Sequence, residues 1–339
     1  MEASMIGLDI AKSIFHVHVV DRSGRTMLSR KLRRAQVEPF FARHPKAVVG
    51  LEACGSAHHW ARIIAALGHE VRLIPAAYVK PYVKRNKTDA RDAEAICEAL
   101  SRPNMRFVPV KTVMQQASRG LERSLDLLTR QRTQLMNSLR SLLAEIGMIA
   151  RSGERGFAEL LQALNDAAAE IPEVLRESLR LMARHIDALS ISITVLQARI
   201  EAVVRNNAVM RRLMTIPGIG PLTAHAVVTA IGDGRQFRCA RDFAAWCGLT
   251  RREHASAGKS RGGRISRQGE TRLRTLFALG ASTLMRHVRR RGDRATVWQR
   301  GILARRPIKV AVLAQAAKTA RIAWAVLTSG ETYRRPVAA

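Results

Sequence analysis

Between Leu175 and Val203 apolar residues recur at alternating spacings of four and three without a break: Leu175, Leu179, Met182, Ile186, Leu189, Ile193, Leu196, Ile200 and Val203. A seam kept for about four heptads demands one continuous helix with an apolar stripe that something must cover. A second run, Leu121, Leu125, Leu128, Leu135, Leu139, Leu142, Ile146 and Ile149, follows the same rule with one charged intruder at Arg132. The Gly153 and Gly156 region between the runs permits a turn. Residues 111–206 are therefore expected to form two long helices. Two arrangements stay open: an intramolecular hairpin, or a coiled coil with a second chain.

Charge divides the chain around this segment. Residues 1–110 carry a net charge of +8, residues 111–204 of +1 and residues 205–339 of +21, which together make the +30 of the whole. A polyphosphate partner gives a reason for such an excess, whereas a neutral or acidic one does not. Three parts are expected: 1–110, the helical segment 111–206, and a C-terminal domain over 207–330. With 47% hydrophobic residues the chain is not mainly disordered. No apolar run of about eighteen residues and no signal-peptide core is evident, so no membrane partner is expected. Cys54, Cys97, Cys239 and Cys247 form no CxxC pair, which indicates neither zinc nor a disulfide framework and fits a reducing cytoplasm.

The first part reads as an α/β domain. Met5–Asp9 is a short strand. Ile14–Val20 alternates Phe15, Val17 and Val19 against His16 and His18, and Asp21–Gly24 turns the chain into a third strand from Thr26. Helix, strand, helix, strand and helix follow, with the fourth strand at Ala47–Leu51 and the fifth at Glu70–Ile74. Three meandering strands followed by alternating helices and strands is the order of an RNase H-like (RuvC-like) sheet. In it the fourth strand lies parallel beside the first. Asp9 and Glu52 then end neighbouring strands at one edge, where active sites of such sheets gather.

Two more carboxylates come from "KTDARDAEAICEAL". Asp89 and Asp92 stand three apart at the start of a helix, on one side of it. Capping and dipole interactions account for that pair taken alone. Four converging carboxylates without basic partners repel, and the set asks for a cation. Oxygen ligands select Mg²⁺ or Mn²⁺ over zinc. Lys84, Arg85 and Lys87, just before the acidic pair, are candidates to meet phosphate, with a solvated basic loop as the competing reading. The adjacent His58 and His59 are read as structural.

The back part opens on "LMTIPGIGPLTAHAVVTAIGD". Its Pro217–Gly220 turn between two short helices has the helix-hairpin-helix pattern, in which Gly218 and Gly220 let backbone N–H groups approach phosphate. Residues 250–270 follow as a loop rich in arginine, glycine and serine, with Arg251, Arg252, Lys259, Arg261, Arg264 and Arg267 as nucleic-acid contacts. Helices near 271–289 and 307–328 complete a mainly α domain.

At this point a resemblance becomes specific. "GLDIAK" at 7–12, "LEACGSAHHW" at 51–60 and "KTDARDAEAI" at 87–96 resemble the DEDD signature of a transposase family with a RuvC-like N-terminal domain. "TIPGIGPLTA" at 215–224, "FAAWCGL" at 243–249 and "SAGKSRGGRISRQGETRLR" at 256–274 are similar to the C-terminal half of the same family. These are insertion-sequence recombinases guided by a bridge RNA, related to Piv-type DNA invertases. The resemblance implies that Asp9, Glu52, Asp89 and Asp92 bind metal and that Ser256 is a nucleophile. It also implies DNA and a structured guide RNA as partners, and a dimer or tetramer in the bacterial cytoplasm, associated with the nucleoid. Arg251 stands where the family has proline, and Ser256-Ala257-Gly258 replaces Ser-Gly, which leaves Ser260 as a rival. The residues themselves also fit a metal-dependent nuclease or junction resolvase with Ser256 as a phosphate ligand only. A kinase-like or actin-like ATPase would need a second Gly-rich phosphate loop and a duplicated domain, and neither is evident.

Overall fold

The computed structural model describes residues 5–84, 88–166, 169–256, 259–291 and 295–334. The chain divides into two compact units, residues 1–116 and 117–339. The helical segment from residue 117 on and the C-terminal part fall within the second of these units.

The first unit is a five-stranded mixed sheet between helices. Its elements are β1 (Met5–Asp9), β2 (Ile14–Val20), β3 (Thr26–Arg33), α1 (Arg34–Arg43), β4 (Val48–Glu52), α2 (Ala57–Ala66), β5 (Glu70–Ile74), α3 (Ala76–Val79) and α4 (Asp89–Leu100). The strand order is β3-β2-β1-β4-β5. β1 runs antiparallel to β2 and parallel to β4, as the order of elements in the sequence implies. Ile6, Leu8, Phe15, Val17, Val49 and Leu51 form one apolar face with Val37, Phe41, Trp60 and Ile64 of α1 and α2.

The other face is not solvated. His16 and His18, which alternate with the apolar residues of β2, are buried, because α4 packs across β1, β2, β4 and β5. Alternation in the sequence reads as a half-exposed strand, but a helix on each face buries both sets. Two glycines make room for that helix. Gly7 of β1 is paired in register with Gly50 of β4. A Cβ on Gly7 would lie 2.1 Å from the Ala93 carbonyl oxygen and 2.8 Å from the Cys97 nitrogen; one on Gly50 would lie 3.2 Å from Ile96. The backbone of α4 therefore lies directly on β1. Thr88 caps the helix by accepting from the Arg91 N–H.

The second unit is mainly helical, with α5 (Val113–Glu145) beginning just before its boundary. It continues with α6 (Glu154–Asn165), α7 (Glu173–Arg205), α8 (Ala208–Leu213), α9 (Pro221–Ile231), α10 (Ala240–Trp246), β6 (Arg251–Ser256), β7 (Lys259–Ile265), α11 (Thr271–Arg291), α12 (Val297–Arg305) and α13 (Ile308–Ser329). The run from Leu175 to Val203 lies in α7 and the other lies in α5 from Leu121 to Leu142, with Ile146 and the exposed Ile149 beyond its end; the chain covers its own seam. Leu179 and Ile186 share a core with Leu139, Leu143 and Leu160. Ile193 and Ile200 share another with Leu125, Met210 and Ile216. Arg176 is buried and donates to the carbonyls of Leu164, Asp166 and Ala169, closing the end of α6. Glu122 accepts from Thr229 Oγ1 at 2.8 Å and meets His225 Nδ1 at 2.5 Å, a buried polar clamp between α5 and α9.

Two expectations change. Residues 251–265 form an antiparallel hairpin rather than a loop; a ladder satisfies backbone groups without needing an apolar core, which composition alone does not reveal. The second concerns α13, whose 22 residues are long and apolar enough to cross a membrane by length and composition, where no such run was expected. The helix carries Lys318 and Arg321, and its Ala316, Ala320 and Ala323 are buried in the core that also holds Phe243 and Phe277.

The close seat of α4 yields a test. Gly7→Ala should destabilise the protein by about 1–3 kcal/mol, as over-packing does. Gly55→Ala, where nothing lies within 4 Å, should stay within about 0.5 kcal/mol. Urea unfolding of both variants checks this; equal stability would show that α4 does not depend on the glycine.

Candidate functional site

The seat of α4 fixes a cluster of acids. Leu8 pairs with Leu51 across β1 and β4, so Asp9 and Glu52 follow as the next residues of adjacent parallel strands, at their carboxyl ends. Asp89 opens α4 and Asp92 lies one turn on. One oxygen each of Asp9, Asp89 and Asp92 lies within 4.8 Å of the others. Asp9 and Asp92 are half-buried and Asp89 is exposed. Glu52 is half-buried beside this trio and outside that tight set. Its charge still reaches Asp9.

Electrostatics marks Asp9 as the strained member. Burial, then the charges of Asp92, Asp89 and Glu52, push its carboxyl from the ordinary 3.8 up to about 6, against a hydrogen bond from the Ile10 N–H. Three carboxylates at this spacing suit a hard divalent cation, which would relieve both the burial and the repulsion.

His16 is the residue that the pattern of alternation misdirects. It pairs with Asp9 across β1 and β2 and is only 5% exposed. Its Nδ1 lies 3.8 Å from Asp89 Oδ2 and makes no hydrogen bond. The signal available in the sequence was the hairpin of β1 and β2, since the short connection at residues 10–13 places His16 opposite Asp9. His18, two residues on, has Thr26 Oγ1 at 3.5 Å, and burial lowers its pKa below the usual value. His58 accepts the Lys111 N–H at 3.1 Å, a structural contact.

The basic candidates fare differently. Lys84 is held by Glu94 at 2.5 Å. Arg85 and Lys87 lie outside the described residues, as do the side chains of Lys259 and Ser260. In the second unit Arg251, Arg252, Arg261, Arg264 and Arg267 are exposed on or beside the hairpin. Arg252 donates to the Ser266 carbonyl at 3.2 Å, and Arg267 adopts a left-handed backbone with φ 56°. Ser256 is exposed at the end of β6, its backbone paired with Lys259. The Pro217–Gly220 turn separates α8 from α9. Gly218 has φ 88° and packs on Gly280 of α11 so closely that a Cβ on Gly280 would lie 1.9 Å from the Gly218 oxygen. Space beside Gly220 is open.

A mixed sheet of order β3-β2-β1-β4-β5, with acids ending β1 and β4 and opening α4, fits the RuvC-like class of metal-using domains. Residues 6–148 match the DEDD-type transposase family of IS110. Residues 210–296 match the transposase IS116/IS110/IS902 family. The chain is 47% identical over 336 residues to a probable family 20 transposase of Pseudomonas aeruginosa, covering 98% of this chain and 99% of that one. It is 38% identical to the transposase for insertion sequence element IS1328 of Yersinia enterocolitica, over 98% and 99% of the two chains. It is also 38% identical to the transposase for insertion sequence element IS1111A of Coxiella burnetii, over 98% and 92%. The chain belongs to the IS110/IS116 family of insertion-sequence transposases.

The raised Asp9 sets a pH dependence for the metal-free protein. Native Asp9 holds its proton up to about pH 6, whereas the unfolded chain releases it near 3.8. The native state thus binds more protons in that window, and stability falls as pH rises through it. In EDTA, Asp9→Asn should be more stable than the wild type above pH 6 and equal to it near pH 4. Thermal unfolding across pH decides; parallel curves would show that Asp9 is not strained.

Proposed function

We propose that this transposase cleaves and rejoins DNA with two sets of groups. Asp9, Glu52, Asp89 and Asp92 hold Mg²⁺, with Mn²⁺ as a substitute, and Ser256 is the nucleophile. The observation that carries the metal half is the clustering of Asp9, Asp89 and Asp92 around a carboxyl that burial and like charge have driven upward. Support for the serine comes from its family position and from its exposure at a strand end within an arginine-rich hairpin.

In this reading Ser256 Oγ loses its proton and forms a bond to the scissile phosphorus. The bond from phosphorus to the leaving deoxyribose oxygen breaks, and that oxygen takes up a proton. DNA is left joined to the protein through a phosphoserine, so the bond energy is retained and the reverse attack reseals a strand without ATP. Arg252, Arg261 and Arg264 offset the charge of the pentavalent state. A divalent cation, when bound, supplies further charge neutralisation at the phosphate. Arg251, Arg267, Lys259, Lys84, Arg85, Lys87 and the backbone at Gly218 and Gly220 are proposed as nucleic-acid contacts. A structured guide RNA and an assembly of two or four copies belong to the same proposal and rest on the family resemblance. The heptad seam does not add to the assembly argument, since the chain covers it.

Labelled DNA run on a denaturing gel after reaction tests the serine. Ser256→Ala should lose both cleavage and the protein–DNA adduct, while Ser260→Ala and Ser266→Ala keep them. Asp9→Asn should lose cleavage and keep binding. Efficient cutting by Ser256→Ala would favour the plain metal nuclease instead.

Salt tests the basic surface. If six to ten phosphates are neutralised, affinity should drop by about 10³–10⁵ between 50 and 200 mM salt. A flat response would exclude backbone binding as the source of affinity, and an RNA-free preparation that selects its DNA unaided would exclude guidance.

A further inference from the structure

The aspartate cluster faces a nitrogen that nothing in the described protein uses. His16 Nδ1 is buried, lacks a hydrogen-bond partner among the described residues, and lies 3.8 Å from Asp89 Oδ2. That distance is too long for a hydrogen bond. It does suit two ligands of one cation. With metal–ligand distances of about 2.1 Å, two donors stand about 3 Å apart at a right angle and about 4.2 Å apart when opposed. The position is also enforced. His16 is held in the β1–β2 ladder opposite Asp9, beneath α4, which contacts both strands.

A neighbouring residue shows that burial on this face does not by itself orphan an imidazole. His18 lies on the same strand and the same face, and is also buried. It nevertheless has Thr26 Oγ1 beside it, with Glu94 and Lys84 near enough to influence its charge. Among the described residues the other buried imidazole with an unpartnered nitrogen is His225 of the second unit, which is engaged through its Nδ1 by Glu122. Of these three, only His16 presents a free ring nitrogen toward a group of acids.

We propose that His16 Nδ1 is a nitrogen ligand of the cation held by the aspartate cluster, reached through Asp89, and that it tilts the site toward Mn²⁺ over Mg²⁺. The inference rests on the metal-site half of the function proposed above and adds a donor to it. Its chemistry follows from ligand softness. Mg²⁺ takes oxygen donors and gives up water reluctantly, whereas imidazole suits first-row transition ions. The proposal requires the proton to sit on Nε2, leaving the Nδ1 lone pair for the metal.

The test uses the full chain and Mn²⁺ alone, without DNA. Electron spin-echo spectroscopy of the bound ion should show nitrogen modulation in the wild type, which changes to the ¹⁵N pattern when the histidines are ¹⁵N-labelled. His16→Asn should lose that modulation and His18→Asn should keep it. By calorimetry His16→Asn should weaken Mn²⁺ binding by about 10-fold or more, with a smaller change for Mg²⁺. His16→Gln, closer in volume, is the second variant should His16→Asn fail to fold. Manganese bound by the wild type without nitrogen modulation, and weakened by Asp9→Asn, would overturn the histidine ligand and leave the carboxylate site standing. Manganese that does not bind, or binds regardless of Asp9→Asn, would overturn both.

Discussion

The first unit is organised by how closely one helix can approach one strand. α4 rests on β1 at a residue without a side chain, and its Ala93 carbonyl occupies the space where a Cβ of Gly7 would be. Any larger residue there must push the helix away. Because α4 lies so low, its first turn brings Asp89 and Asp92 beside the end of β1. The same contact buries His16 and His18 and half-buries Asp9. The clustered acids, the raised Asp9 and the orphaned imidazole are all consequences of that approach. Stability is given up at this edge, since like charges are forced together in a partly desolvated place. Such local conflict is what a divalent cation would relieve.

Much of this was legible in the residues. The strands announced themselves through short apolar tracts bounded by turns, and their order implied that β1 and β4 would be parallel neighbours. Asp9 and Glu52 followed from register, and Asp89 and Asp92 from helical spacing. His16 was not legible, because period-two alternation cannot say whether the second face of a strand meets water or a helix. The hairpin at 251–265 was hidden for a different reason. Its arginines and glycines have no apolar periodicity, and backbone pairing leaves no trace in composition. The heptads specified two helices without saying what covers them. Phe157, Leu160 and Leu164 of the intervening α6 supply part of the cover, and a segment of twelve residues between two longer signals is easily read as a turn.

Net charge also has a structural side in the second unit. Several of its acids are already paired with arginines of the same unit. Glu270 holds Arg119 at 3.0 Å, Asp126 holds Arg272, and Asp242 holds Arg238 at 3.2 Å. The first two pairs tie α5 to the entry of α11. What remains at the surface is a basic surplus with little local compensation, in keeping with a protein whose counter-charge is an external polyanion.

The hairpin of β6 and β7 has one further implication. A two-stranded sheet has two open edges, each a row of unpaired N–H and C=O groups that could template a strand from another copy. Arg251, Arg252, Arg261 and Arg264 are exposed on the two strands, and like charge on each copy would oppose such pairing. A polyanion laid along the hairpin would cancel that repulsion. Molecules crowded on one strand of nucleic acid would then meet with their protective charge masked, and intermolecular β-pairing becomes a hazard of the bound state rather than of the free one.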